Sequence, residues 1–161
     1  MINLERIFNP KSIAIIGASP KENSVGFGLA KNVLEGKDLR KIYFVNPFEK
    51  EVLGISCFSK ITDIKEEIDL AIIAVRAEIV PQIIKEVCQK KVGGIIIISA
   101  GFAESGKEGI FLQNEIREIA RKAEIPLIGP NCLGILRPSV NLNASFAPTT
   151  LSNNFGSSFS S

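Results

Sequence analysis

Residues 12–34 read SIAIIGASPKENSVGFGLAKNVL, and their order decides the fold. An apolar run from Ile13 to Ile16 stops at Gly17, a polar stretch follows, and from Gly26 onward Leu29, Ala30, Val33 and Leu34 recur at helical spacing. A strand that runs through a glycine-bracketed loop into a helix brings unpaired backbone N–H groups and the positive end of a helix dipole to one place, which suits an anion. Phosphate is the expected occupant.

The same grammar repeats along the chain. Apolar runs at 12–18, 41–46, 69–75 and 94–100 read as strands, with a fifth short strand, IPLIG, at 125–129. Most are apolar almost without interruption, as expected when a parallel sheet is covered on both faces. Between them, Val80, Ile83, Ile84, Val87 and Cys88 mark one amphipathic helix, and Leu112, Ile116, Ile119 and Ala120 mark another. Strand alternating with helix predicts a doubly wound α/β domain with a mainly parallel sheet of five or more strands, helices on both faces, and ligands at the carboxyl ends of the strands. Segment 48–64 reads as a turn at Gly54 with a small extra strand, and Glu104, Ser105 and Gly106 read as a mobile turn.

Composition narrows the function. The 161 residues suit one domain with one sizeable core; 45% are hydrophobic, 22% charged, and the net charge is +2. Lys and Glu are interspersed, as in KEVCQKK, so no basic face for nucleic acid is expected. No apolar run approaches the ~18 residues that span a bilayer, and a cytoplasmic protein is expected. Cys57, Cys88 and Cys132 lie far apart with no CxxC pair, against a disulfide framework or a zinc site. No histidine is present, which removes Ser–His and Cys–His nucleophiles and phosphohistidine chemistry from these residues.

The strand ends carry the chemistry. Gly17, Gly26 and Gly28 do not match the G-x-G-x-x-G of dinucleotide folds, and no G-K-[ST] follows. Strand two ends in VNPFEK, without the acidic residue that an NAD ribose prefers at that point. Lys50 there is either a partner for a ribose phosphate or an exposed loop lysine. Strand three ends in AVRAE, with Arg76 at the site edge or on the surface; strand four ends in SAGFAESG, whose small residues allow close backbone approach. Strand five runs into GPNCLGI, a rigid loop with Asn131 able to donate and accept, and with Cys132 as a small pocket-lining residue rather than a nucleophile.

GASP with SVG, VNP, SAGFAE, GPNCLGI and LNASFAP, in that order, closely resemble the N-terminal CoA-binding domain of the NDP-forming acyl-CoA synthetases. That family includes the ADP-forming acetyl-CoA synthetase α subunit and is related to the succinyl-CoA synthetase α subunit. The resemblance spans roughly residues 5–148 and implies a Rossmann-like domain at 1–148, followed at 149–161 by a flexible tail or truncated linker to a second domain. It implies nucleotide and phosphate contacts at Gly17, Ala18, Ser19, Pro20, Val25 and Gly26, with Asn46 and Lys50 near the adenosine end. Val75 and Arg76 border the pantetheine arm beside Ser99, Ala100 and Gly101, and Asn131 and Cys132 lie at the thiol end. The implied parent reaction joins acid, CoA and ATP to give acyl-CoA, ADP and phosphate, reversibly, through an acyl phosphate and a phosphohistidine. Without histidine these residues supply only the CoA site, and ATP, ADP and Mg enter through partner ATP-grasp and phosphohistidine domains. Two departures stand out: Arg76 replaces a proline usual in the family, and a SQSGA-like opening of the next domain does not follow FAP. Other readings are a stand-alone CoA- or nucleotide-sensing module, the CoA-binding part of a fused protein acetyltransferase, and an NAD(P)-binding module.

Overall fold

The computed structural model describes residues 3–148. Its centre is β1 (Ser12–Ile16), buried along its whole length and paired in parallel with β2 (Lys41–Val45) on one side and β5 (Leu70–Ile73) on the other. The uninterrupted apolar run follows from this position: Ala14 and Ile16 pack on one face while Ile13 and Ile15 pack on the other. Each such isoleucine contributes about 2 kcal/mol by leaving water.

From β1 the chain winds outward through α2 (Val25–Leu34) to β2, then to β4 (Ile55–Phe58), parallel to β2, and β3 (Glu51–Val52), antiparallel at the edge. The turn between β3 and β4 is Leu53–Gly54, both at positive φ as a tight hairpin demands. The chain then returns to the other side of β1 and continues through β5, α3 (Val80–Lys90), β6 (Gly94–Ile97), α4 (Lys107–Lys122) and β7 (Leu127–Ile128). The seven-stranded order is β3-β4-β2-β1-β5-β6-β7, so winding reverses between β1 and β5. That reversal opens a crevice at the carboxyl ends of those two strands.

One face of the sheet is covered by α3 and α4 through Val80, Ile84, Val87 and Ile116. The other is covered by α2 and by a hairpin absent from the sequence reading, β8 (Gly134–Arg137) and β9 (Leu142–Ser145), whose Leu142 and Ala144 join the core around Leu29 and Val33. Helices thus occupy both faces, but a β-ribbon completes the second. Two buried polar side chains fasten it. The Asn32 amide donates to the carbonyls of Ser145 and Ala147, each at 2.8 Å. The Arg40 guanidinium donates to Asn141 at 2.8 Å and Val140 at 2.7 Å. At the opposite edge of this face Ile7, from the short α1 (Glu5–Phe8), sits where a side chain on Gly94 would be.

The strands are shorter than their apolar runs. β5 and β6 end at Ile73 and Ile97, and β7 keeps only two residues of the expected 125–129. The first residue beyond β1, β5 and β6 still bonds to the neighbouring strand, and the loops that follow line the carboxyl ends of the sheet. The expected tail at 149–161 lies outside the described residues.

Candidate functional site

The loop after β1 is built by two glycines. Gly17 has φ +97°, donates its N–H to Val45 O at 3.0 Å, and lies so close to β5 that a Cβ would strike the Ala74 carbonyl. Gly26, in the first turn of α2, packs against the Gly17 carbonyl with no room for a side chain. The helix therefore starts directly on the end of β1. Ser24 caps it, its Oγ accepting from Phe27 N at 3.1 Å and donating to Lys21 O at 2.7 Å. The first turn carries no acidic residue, so no side chain offsets the positive end of the helix dipole.

The neighbouring strand ends are tied through Ser99. Its hydroxyl accepts from Val75 N at 3.1 Å and its carbonyl accepts from Asn131 N at 2.9 Å, which locks the ends of β5, β6 and β7 together. At 8% exposure its hydroxyl serves this tie and is largely withdrawn from solvent. Asn131 adopts φ +52°, and its side chain is exposed into the cleft described below. The Cys132 thiol is turned back onto Ile97 O at 3.3 Å. The other two thiols are poor nucleophiles: burial pushes Cys57 up, helped by Glu49 and Glu51, and burial alone pushes Cys88 up.

After β6 the expected mobile turn is instead pinned. Glu104 accepts from Gly101 N at 2.6 Å and from Phe102 N at 3.1 Å across a single 3₁₀ turn, Ala103–Ser105. The Gly101 amide foremost, with those of Glu104 and Phe102, holds its carboxyl below the ordinary carboxylate value. A carboxylate satisfied by backbone donors closes this loop, which is why it does not behave as a free Ser-Gly turn.

Two clefts open over these ends. The larger, about 610 Å³, brings together Val25, Val75, Arg76, Ser99, Ala100, Asn131 and Cys132, all expected from the sequence. It adds Leu133 and Phe146, which lie within the GPNCLGI and LNASFAP stretches and were thus within reach of sequence reading. Arg76 is its one charged lining residue among those described. The second is a narrower slot of about 270 Å³ against α3, lined by Gly17, Asn46 and Val75 together with Ile16, Ile79 and Ile83. Val75 borders both, so slot and cleft adjoin at this residue beside the β1–β5 crevice.

Of the remaining expected residues, all but Asn46 fall outside both clefts. Ala18 is buried, Ser19 half-buried and Pro20 exposed in the loop, and Gly26 is packed behind it. Gly101 takes part in the Glu104 closure. Asn46 lines the slot, but its amide is already engaged, donating to Ala18 O at 2.8 Å and accepting from Phe48 N at 2.9 Å. Lys50 is exposed before β3, whereas Lys60, at the end of β4, lines the slot. The reading of 48–64 as a turn with a small extra strand does not single out Lys60, whose place depends on β4 joining the sheet beside β2.

Residues 11–138 match the CoA binding domain family. The chain belongs to that family. It is 47% identical over 145 residues to the ADP-forming acetate–CoA ligase of Methanocaldococcus jannaschii, covering 89% of this chain and 20% of the relative. It is 43% identical to subunit alpha of the Pyrococcus furiosus ADP-forming acetate–CoA ligase II, covering 89% and 31%. Among solved structures, acetyl-coenzyme A synthetase 1 of Candidatus Korarchaeum cryptofilum, in complex with phosphate and ADP, superposes with a TM-score of 0.86 at 33% identity, covering 92% of this chain and 32% of that one. The chain therefore spans about a fifth to a third of the length of these relatives. The Rossmann-like fold and the match to the CoA-binding part of ADP-forming acetyl-CoA synthetases agree with the sequence reading. Among the described residues no helix is long and apolar enough to cross a membrane.

Proposed function

We propose that this chain holds coenzyme A across the carboxyl ends of its sheet, as the CoA-binding part of a cytoplasmic acid–CoA ligase that forms ADP. The carrying observation is that slot and cleft adjoin at Val75, beside the point where the winding reverses. The aliphatic slot suits the base, and the loop from Gly17 to Gly26 with the start of α2 suits the phosphates. Lys60 and Arg76 are the cations at hand. The pantetheine arm would run past Val75 and Ala100, and the thiol would lie at Asn131 and Cys132.

These groups fit a thiol substrate. Small residues at Ser99 and Ala100 leave room for an extended arm, and the retracted Cys132 thiol leaves the cleft floor clear. The chain binds, orients and presents. CoA supplies the nucleophilic sulfur that takes up the acyl group. With no histidine in the sequence, the phosphohistidine step belongs to a partner domain, and ATP, ADP and Mg belong to an ATP-grasp partner.

Calorimetric titration of the chain with CoA, dephospho-CoA, NAD⁺ and NADP⁺ tests this reading. CoA is expected to bind, with affinity reduced when the 3′-phosphate is lost. Binding of a nicotinamide dinucleotide in place of CoA would overturn it in favour of an NAD(P) module.

A further inference from the structure

The slot is apolar on most sides, with Ile16, Val45, Ile61, Ile79 and Ile83 forming walls that suit a flat heterocycle. Its polar lining is sparse. Asn46 is committed to Ala18 and Phe48, and Lys60 offers an ammonium suited to phosphate. The remaining charged group is Glu86, half-buried on α3 and one turn beyond Ile83 on the same helix face. Its carboxylate takes a 3.3 Å hydrogen bond from the Gln82 amide on one oxygen, and no salt bridge to it is formed among the described residues. Glu86 thus lines an otherwise largely apolar slot with a second carboxylate oxygen that takes no hydrogen bond among the described residues and is open to a donor from a ligand.

We propose that Glu86 selects the base, accepting a hydrogen bond from the exocyclic amine of a 6-amino purine and rejecting a 6-oxo purine. This rests on the reading of the slot as the nucleotide end of the CoA site. An ionised carboxylate can only accept. Adenine presents N–H donors at C6, whereas hypoxanthine presents a carbonyl oxygen there and carries its N–H on N1, so a carboxylate aimed at C6 meets lone pairs instead of a donor. A site built to pair one group rejects the analogue that leaves its own polar atom unpaired.

The test is the ratio of affinities for CoA and for its deaminated analogue, hypoxanthine replacing adenine, measured by calorimetry on the wild-type chain and on Glu86→Gln. A ratio within one protein is independent of the fraction that is correctly folded. The wild type is expected to prefer CoA by about tenfold or more. The glutamine amide, able to donate or accept, is expected to bring the two within about threefold. If wild type binds both equally, or Glu86→Gln keeps the full preference, the role of Glu86 is overturned while the CoA site stands. If wild type binds neither compound, the reading of the slot fails, and the role of Glu86 with it.

Discussion

Both ends of the sheet carry clefts, one at the amino ends and two adjoining ones at the carboxyl ends, and the largest single one lies at the amino ends, where several lining side chains are bonded to one another. At the amino ends a space of about 680 Å³ is lined by Arg6, Lys11, Ser12 and Asp69. There Asp69 accepts from Arg6 Nε at 2.6 Å and from Lys11 N at 2.8 Å, and Ser12 donates to Glu67 O at 2.8 Å while accepting from Asp69 N. These bonds close the bottom of the molecule. At the carboxyl ends the internal bonds run mostly between backbone groups and small side chains, as at Ser99, and they leave Arg76 and Asn131 facing open space. Cleft volume alone therefore does not place a site. Arg6, Ser12 and Asp69 at the amino ends are bonded within the fold, whereas the Arg76 and Asn131 side chains at the carboxyl ends are not, among the described residues.

That contrast can be broken from either side. The largest effect is expected from Gly17→Val, which forces a side chain into the Ala74 carbonyl at φ +97°. It should destabilise the chain by roughly 3 kcal/mol or more and abolish CoA binding, as read by denaturant unfolding and calorimetry. Next is Asn32→Leu, which strands the Ser145 and Ala147 carbonyls. It should lower stability by about 2 to 3 kcal/mol in urea unfolding. Arg76 is exposed, so Arg76→Ala should leave the melting temperature in place and weaken CoA binding by about tenfold, because it removes a charge-assisted hydrogen bond to the ligand and none within the fold. Asp69→Ala, at the bottom, should do the reverse, costing about 1 to 2 kcal/mol of stability with CoA affinity unchanged.

The smallest effect concerns pH. Backbone donors lower the Glu104 pKa in the folded state, so its stabilising contribution is complete above the ordinary value of 4.5 and is lost as pH falls through the lower folded value. Glu104→Gln should flatten that acid-side decline in urea midpoints measured below about pH 4.5, and should lower the neutral-range midpoint, because the contribution of the ionised carboxylate is lost there.

The parallel sheet was legible because its central strands are buried on both faces, so Ile13–Ile16 and Leu70–Ile73 appear as unbroken apolar runs. The hairpin was not. β8 and β9 cover one face only, and Pro138, Ser139 and Asn141 between them obscure any period of two. The cleft that holds Arg76 and Asn131 was legible because most of its residues follow strands directly, so position in the sequence gives position at the sheet's end. The slot was half legible: Gly17, Asn46 and Val75 follow strand ends, but Lys60 and Glu86 come to it through a short strand next to the edge and the middle of a helix. Residues such as Asn46 and Ser99 also show that a polar side chain at a strand end can be spent on joining loops, a role that residue type does not distinguish from ligand contact.

The most direct measurement is an amide chemical-shift map of the chain titrated with CoA. Perturbations should concentrate at Gly17, Gly26, Val75, Ala100 and Asn131, with Lys11, Ser12 and Asp69 unmoved. Shifts gathered at the amino ends instead, with the carboxyl ends silent, would contradict the placement of the site.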